Sequence, residues 1–292
     1  MLTGSITALV TPMSPDGEID QAALEGLIDF HVEAGTQALV IAGTTGESAT
    51  LSTEEHIDLI GLSCEIAAGR IPIIPGTGSN STAQTIELSQ AVGRYEIAGF
   101  LVVTPYYNKP TQAGLVQHFE AIADAVVQPV LLYNVPGRTA VDLQVETVIR
   151  LAEHSNIVGL KEATGEVDRV AAIKAGAGDD FILLSGDDAS CREFMLAGGD
   201  GVISVTGNVV PAAMRALCDA ATAGDAATAA EIDAPLAGLH RDLFVESNPI
   251  PVKWALAEMG RIGNSLRLPL TPLAEQYHDR VTQAMSQAGV VW

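Results

Sequence analysis

Short runs of Val, Ile and Leu recur along this chain, and each is followed by a stretch of helix length. Residues 6–13 predict a first strand and residues 21–35 a helix. Residues 38–43 predict a second strand, with a helix over 53–68. Residues 71–76 and 100–105 predict the third and fourth strands, separated by a helix near 82–98. A helix near 112–126 precedes a strand at 130–135, and 143–154 predicts the helix after it. Strands at 157–161, 181–185 and 201–205 complete the set, about eight in all. These runs are continuously apolar rather than alternating. Strands buried on both faces read that way, which implies a parallel sheet covered by helices. Eight such units in roughly 220 residues predict an α/β fold of the (β/α)8 TIM-barrel type. An open, doubly wound sheet is the competing arrangement. The barrel is expected over residues 1–223. Residues 224–292 show helical periodicity only and read as a helical C-terminal extension.

Composition then narrows the function. Of 292 residues 48% are hydrophobic and 17% charged, which suits a chain with a real core rather than a disordered one. Asp and Glu outnumber Lys and Arg 36 to 15, for a formal net charge of -21. Nucleic acid and anionic membranes need a basic face, so neither is an expected partner. No run approaches the ~18 apolar residues of a membrane span. The N-terminal MLTGSITALVTPM lacks the basic start of a signal peptide. Cys64, Cys191 and Cys218 are odd in number and far apart, which argues against a disulfide framework and a zinc site. A cytoplasmic location is the expectation. The six histidines form no H-x-H or H-E-x-x-H pair, and neither a G-x-S-x-G elbow nor a phosphate loop is present. The expected chemistry is lysine-based, with no metal and no cofactor.

Barrel enzymes work at the C-terminal ends of their strands. Here the second strand runs into Gly43-Thr44-Thr45-Gly46-Glu47-Ser48 and the third into Gly76-Thr77-Gly78. The fourth ends in Thr104-Pro105-Tyr106-Tyr107-Asn108 and the fifth in Tyr133-Asn134-Val135-Pro136-Gly137-Arg138. The sixth ends in Lys161-Glu162-Ala163-Thr164 and the seventh in Gly186-Asp187-Asp188. Lys161 is the most informative of these. It follows Ile157-Val158-Gly159-Leu160 and so stands at the mouth of a buried strand. Burial disfavours its ammonium and lowers its pKa. A lysine that is partly neutral attacks a ketone and forms a Schiff base. The competing reading pairs Lys161 with Glu162 or Asp187. Tyr133 is either a proton relay, with Thr44 or Thr45 as hydroxyl partner, or an amphipathic core tyrosine. Backbone N–H groups of the 43–47 loop suit a carboxylate. Arg138 is either a bidentate anchor for a substrate carboxylate or one end of a surface salt bridge.

At these motifs the sequence resembles the dihydrodipicolinate synthase family of pyruvate-dependent class I aldolases. The resemblance spans essentially the whole chain, from Gly4-Ser5-Ile6 and Val10-Thr11-Pro12-Met13 to Asn248-Pro249-Ile250-Pro251-Val252-Lys253-Trp254. Its specific motifs are Gly43-Thr44-Thr45-Gly46-Glu47-Ser48-Ala49-Thr50-Leu51, Thr104-Pro105-Tyr106-Tyr107-Asn108, Tyr133-Asn134-Val135-Pro136-Gly137-Arg138-Thr139, Gly159-Leu160-Lys161-Glu162-Ala163-Thr164-Gly165 and Leu184-Ser185-Gly186-Asp187-Asp188, in that order.

The resemblance implies a lyase that condenses pyruvate with L-aspartate 4-semialdehyde on the diaminopimelate route to lysine. Lys161 matches the Schiff-base lysine, and Thr44, Tyr107 and Tyr133 match a proton-relay triad. Tyr107 would enter the pocket of a neighbouring subunit, so a homo-oligomer is implied, usually a dimer of dimers. Arg138 matches the residue that holds the semialdehyde carboxylate. Thr45 matches the position whose backbone helps bind pyruvate, and Ile203 the carbonyl facing the reacting centre. Gly186, at the seventh strand's end, joins them as a candidate binding residue. Ser48, Ala49, His56, Asn80 and Tyr106 match an allosteric lysine site. Thr53 stands where histidine is common there, and Gln84 where a glutamate pairs with the ligand's ammonium, so weak or absent lysine inhibition is expected. Sister aldolases such as N-acetylneuraminate lyase or a keto-deoxy sugar acid aldolase are the nearest alternative. A non-catalytic regulatory barrel is a second, but it predicts eroded reactive positions. The sequence offers no physical reason for the likeness at 248–254; helix packing or a subunit contact is the plain expectation.

Overall fold

The computed structural model describes residues 2–291. Eight strands form one parallel sheet: β1 Gly4–Ala8, β2 Ala38–Ile41, β3 Ile73–Pro75, β4 Phe100–Val103, β5 Val130–Asn134, β6 Ile157–Glu162, β7 Ile182–Ser185 and β8 Gly201–Ser204. Their order is β3-β2-β1-β8-β7-β6-β5-β4. The end strands β3 and β4 meet at a parallel bridge between Gly76 and Leu101, where Thr77 N–H donates to Leu101 O at 3.1 Å. The sheet therefore curls into the expected (β/α)8 barrel and not into an open sheet.

Helices α1 Gln21–Glu33, α2 Thr53–Ala67, α3 Thr82–Val92, α4 Gln112–Ala125, α5 Pro136–Thr139, α6 Val145–Leu151, α7 Arg169–Ala177, α8 Cys191–Leu196 and α9 Pro211–Thr222 alternate with and follow the strands. After them come α10 Ala226–Asp233, α11 Ala237–Asp242, α12 Ile250–Glu258 and α13 His278–Gln287. Many helix starts are written in the sequence. Asp20, Ser81 and Thr111 accept from amides of the first turn of α1, α3 and α4. Ser52 and Glu55 form a reciprocal capping box on α2. Among the described residues, no helix is long and apolar enough to cross a membrane.

The strand side chains sort into two layers. Ile6, Val40, Ile74, Leu131, Leu184 and Ile203 fill the barrel's interior. Leu39, Ile73, Val102, Leu132, Leu160 and Leu183 face the helices. Both layers being apolar is why the strands read as continuous runs.

Three elements differ most from expectation. β1 begins at Gly4 and ends at Ala8, not at residue 13. Beyond it Val10 N–H leaves the ladder for Asn208 Oδ1 at 3.1 Å, and Pro12 has no N–H to offer. α3 stops at Val92, where Gly93 takes the C-cap, and does not run to residue 98. Between β5 and α6 the structure adds the short helix α5, to which no expectation was attached, started by Pro136 at its first position.

Candidate active site

Register sets the candidate residues side by side. Tyr133 on β5 pairs with Lys161 on β6, which pairs in turn with Leu184 on β7. A bulge decides which way Lys161 faces. Val130 pairs with Ile157, but Leu131 pairs with Gly159, so Val158 is one residue more than the partner strand supplies. Ile157 faces the helices. Strict alternation would turn Lys161, four residues on, the same way. The extra residue reverses the parity, and Lys161 points into the barrel mouth. Gly159 is what lets the strands close there, since a Cβ on it would lie 2.4 Å from Ile182 O.

Lys161 sits at the floor of a cavity of about 200 Å3 whose wall includes Thr44, Thr45, Tyr133, Arg138, Gly186 and Asp187. It is only 6% exposed. Its Nζ lies 4.4 Å from the Tyr133 ring centre. Burial pulls its pKa from 10.5 to about 8, with Asp188 opposing the fall and Arg138 adding to it. Gly186 makes room for this lysine, because a Cβ there would lie 2.9 Å from Lys161 Cε.

The competing pairing of Lys161 does not form. Glu162 faces outward and accepts from Asn134 Nδ2 at 3.1 Å and from Thr164 N at 2.9 Å, with Arg169 beyond. Asp187 accepts from Ser190 N and Oγ at 3.0 and 2.6 Å. The carboxylate whose field reaches Lys161 is instead Asp188, which is buried and accepts from the amides of Val205 and Thr206, each at 2.9 Å. Tyr133 is also buried, which raises its phenol's pKa, while Arg138 and the Thr44 side chain lean the other way.

Thr44 and Thr45 hang on a tight loop gripped from elsewhere in the chain. Ala42 and Glu47, at its two ends, are non-glycine residues with φ of 54° and 57°. Thr45 Oγ1 accepts from Asn248 Nδ2 at 2.9 Å, and Gly46 O accepts from Thr11 Oγ1 at 2.7 Å. Glu47 Oε1 meets Lys253 Nζ at 2.5 Å, both side chains having no exposure, and Glu47 Oε2 accepts from Arg267 N at 3.1 Å. Burial pushes the Lys253 ammonium's pKa down and Glu47 holds it up. Arg138 is exposed at the last turn of α5 and donates to Asn248 O at 3.3 Å. It forms no carboxylate pair among the described residues.

Of the other candidates only Ser48 also borders this cavity. Ile203 packs in the barrel interior and does not border the cavity. Tyr107 is 88% exposed with φ of 75°. Ser48, Ala49, His56 and Tyr106 share a second cleft of about 750 Å3 with Thr53 and Gln84. Asn80 is not among its lining residues; its carbonyl accepts from Asn108 Nδ2 at 2.8 Å. Among the described residues no three His, Cys, Asp or Glu side chains gather as a donor set for a metal. Asn248, Lys253, Glu47, Thr11 and Asp188 stand in the quoted motifs, but the sequence assigns none of them an individual role. A lysine set within Ile-Pro-Val-Lys-Trp-Ala-Leu was the available signal, since so apolar a helix face buries its lysine and demands a partner.

Comparison with known proteins agrees across the full length. The chain is 56% identical over 290 residues to the 4-hydroxy-tetrahydrodipicolinate synthase of Azoarcus sp. (strain BH72), covering 99% of each. It superposes with a TM-score of 0.98, at 52% identity and 100% coverage of both chains, on the chloride-inhibited dihydrodipicolinate synthase from Acinetobacter baumannii complexed with pyruvate. The lysine-bound enzyme from Cyanidioschyzon merolae matches at a TM-score of 0.96 and 40% identity, with 99% of each chain covered. With its barrel, its inward lysine and a match running over residues 1–288, the chain belongs to the dihydrodipicolinate synthetase family.

Proposed function

We infer that the protein acts as a 4-hydroxy-tetrahydrodipicolinate synthase, a lyase that condenses pyruvate with L-aspartate 4-semialdehyde on the diaminopimelate route to lysine. The observation that carries this reading is Lys161, buried without a bonded carboxylate and held near pKa 8 under the Tyr133 ring. At neutral pH a minor fraction of such a lysine is a free amine. The amine adds to C2 of pyruvate, and loss of water leaves a protonated imine. The imine accepts the electron pair of the methyl C–H bond as its proton departs, giving an enamine. The enamine carbon attacks the semialdehyde's aldehyde and forms the new C–C bond. The substrate's own amine then displaces Lys161 from the imine carbon, which closes the ring and frees the lysine.

In this reading Tyr133 and Thr44 carry protons between the Lys161 adduct and the mouth. Backbone groups at Thr45 and Gly186 hold pyruvate, Ile203 O faces the reacting centre, and Arg138 takes the semialdehyde carboxylate. Tyr107 completes the relay in a neighbouring subunit's pocket. Its exposure and left-handed backbone support a homo-oligomer in which a second copy covers it. Ser48, Ala49, His56, Asn80 and Tyr106 are assigned to a weak lysine site. Three free cysteines support a cytoplasmic setting.

The decisive experiment is reduction with borohydride in the presence of pyruvate, followed by intact mass and peptide mapping. A single pyruvate adduct on Lys161 is expected, together with synthase turnover when the semialdehyde is added. Absence of the adduct refutes the Schiff-base mechanism. Cleavage of a sialic acid without synthase turnover would move the chain to a sister aldolase.

A further inference from the structure

The Glu47–Lys253 pair is an uneconomical way to hold a fold. Neither side chain has any exposure. Taking both charges out of water costs much of what their attraction returns, and apolar residues of like volume often serve stability as well. The pair does something that apolar packing does not. It fixes the end of a loop that is bent into the left-handed region at both Ala42 and Glu47. Non-glycine residues leave that region unless something holds them. Between those ends lie Gly43, Thr44 and Thr45, which all border the lysine cavity. The grips come from far along the chain. Lys253 lies on α12, Asn248 just before it, and Arg267 beyond it, at separations of 206, 203 and 220 residues from the groups they bind. Thr11 adds a fourth contact on Gly46 O.

We propose that the buried Glu47–Lys253 pair, together with the Thr11 contact on Gly46, is a positioning device that sets Thr44 and Thr45 against the reacting centre. Lys253 is thus a positioning residue, acting from the C-terminal helices through Glu47, and is not itself a nucleophile. A salt bridge suits this task because it is directional: one carboxylate oxygen is fixed by Lys253 and the other by the Arg267 amide. The inference rests on the synthase reading, in which Thr44 relays protons and the loop amides hold pyruvate.

The test uses two full-length variants, Glu47→Gln/Lys253→Met and Thr11→Val. The first removes both charges, so no lone charge is left buried. The second leaves the ion pair intact and decides the matter should the first not fold. In each, Lys161 sites trappable by pyruvate and borohydride are counted, and kcat is expressed per trapped site. A merely structural role lowers trapped sites and turnover together. Positioning lowers kcat per trapped site and raises the pyruvate KM, by about 100-fold in total for the double variant and by less for Thr11→Val. Values within about twofold of the unmodified protein in either folded variant overturn the proposal. The unmodified protein is trapped and assayed alongside. If it yields no Lys161 adduct, the synthase reading itself fails, which is a separate result.

Discussion

Lys161 Nζ lies 4.4 Å from the centre of the Tyr133 ring, and the two residues are direct partners across β5 and β6. The phenol and the amine therefore share one wall of one cavity by backbone register rather than by loop placement. Strand-borne groups are held more closely than loop-borne ones. Replacing Tyr133 by Phe keeps the ring over Lys161 and removes only the hydroxyl. The expected result is a kcat reduced by about 100- to 10,000-fold. The Lys161–pyruvate adduct should still be trapped on long incubation, as peptide mapping would reveal.

The lysine's depressed pKa sets the pH dependence. Below about pH 8 Lys161 is mostly an ammonium and lacks the electron pair it needs; above it the free amine predominates. The kcat/KM for pyruvate should rise with pH along a limb centred near 8. A limb centred near 10.5, the ordinary lysine value, would show that burial does not tune this group.

The same shift makes Lys161 a cost to stability. Its pKa in the folded protein, about 8, lies below the ordinary 10.5, so between those values the unfolded chain binds more protons. Stability from this group therefore rises as pH climbs from 8 to 10.5, and the full penalty applies below 8. Lys161→Met should abolish turnover yet stabilise the protein at pH 7 by about 3 kcal/mol. Denaturant unfolding at pH 7 and pH 10.5 checks both the gain and its disappearance at the higher pH.

Arg138 has no carboxylate partner among the described residues, which leaves its guanidinium available at the cavity mouth. Arg138→Lys keeps the charge and loses the planar fork. It should lower kcat/KM for the semialdehyde by about 10- to 100-fold, with pyruvate trapping on Lys161 unchanged. Steady-state kinetics with each substrate varied in turn separates the two.

Gln84 lines the second cleft beside Thr53, His56 and Tyr106. An amide there offers an ammonium ligand a weaker bond than a carboxylate does. Lysine at millimolar concentration should inhibit little. Gln84→Glu should strengthen that inhibition by about tenfold. Equal inhibition curves for the two proteins would remove Gln84 from any account of regulation.

Much of the fold was legible because burial on both faces leaves no polar alternation in a strand. The 157–161 run, ending in a lysine, located the centre of the cavity directly. Thr44, Tyr133 and Arg138, which the strand-end rule singles out, border the same cavity. The pairing of Glu47 with Lys253 is not legible, because it spans 206 residues and no local pattern encodes it. Asp187 and Asp188 are not distinguishable in the sequence, since one residue's difference in a turn decides which carboxylate caps and which turns inward. The end of β1 is not legible in the apolar run, because Val10 satisfies its N–H with a side chain 198 residues away.

The extra residue at Val158 carries a lesson for anyone moving this chemistry to another scaffold. A lysine written into a regular barrel strand at the matching distance from Ile157 would lie beneath the helices, dry and out of reach of any ketone. What has to be transplanted is a miscount: two residues set against one, with a glycine to let the strands close around it.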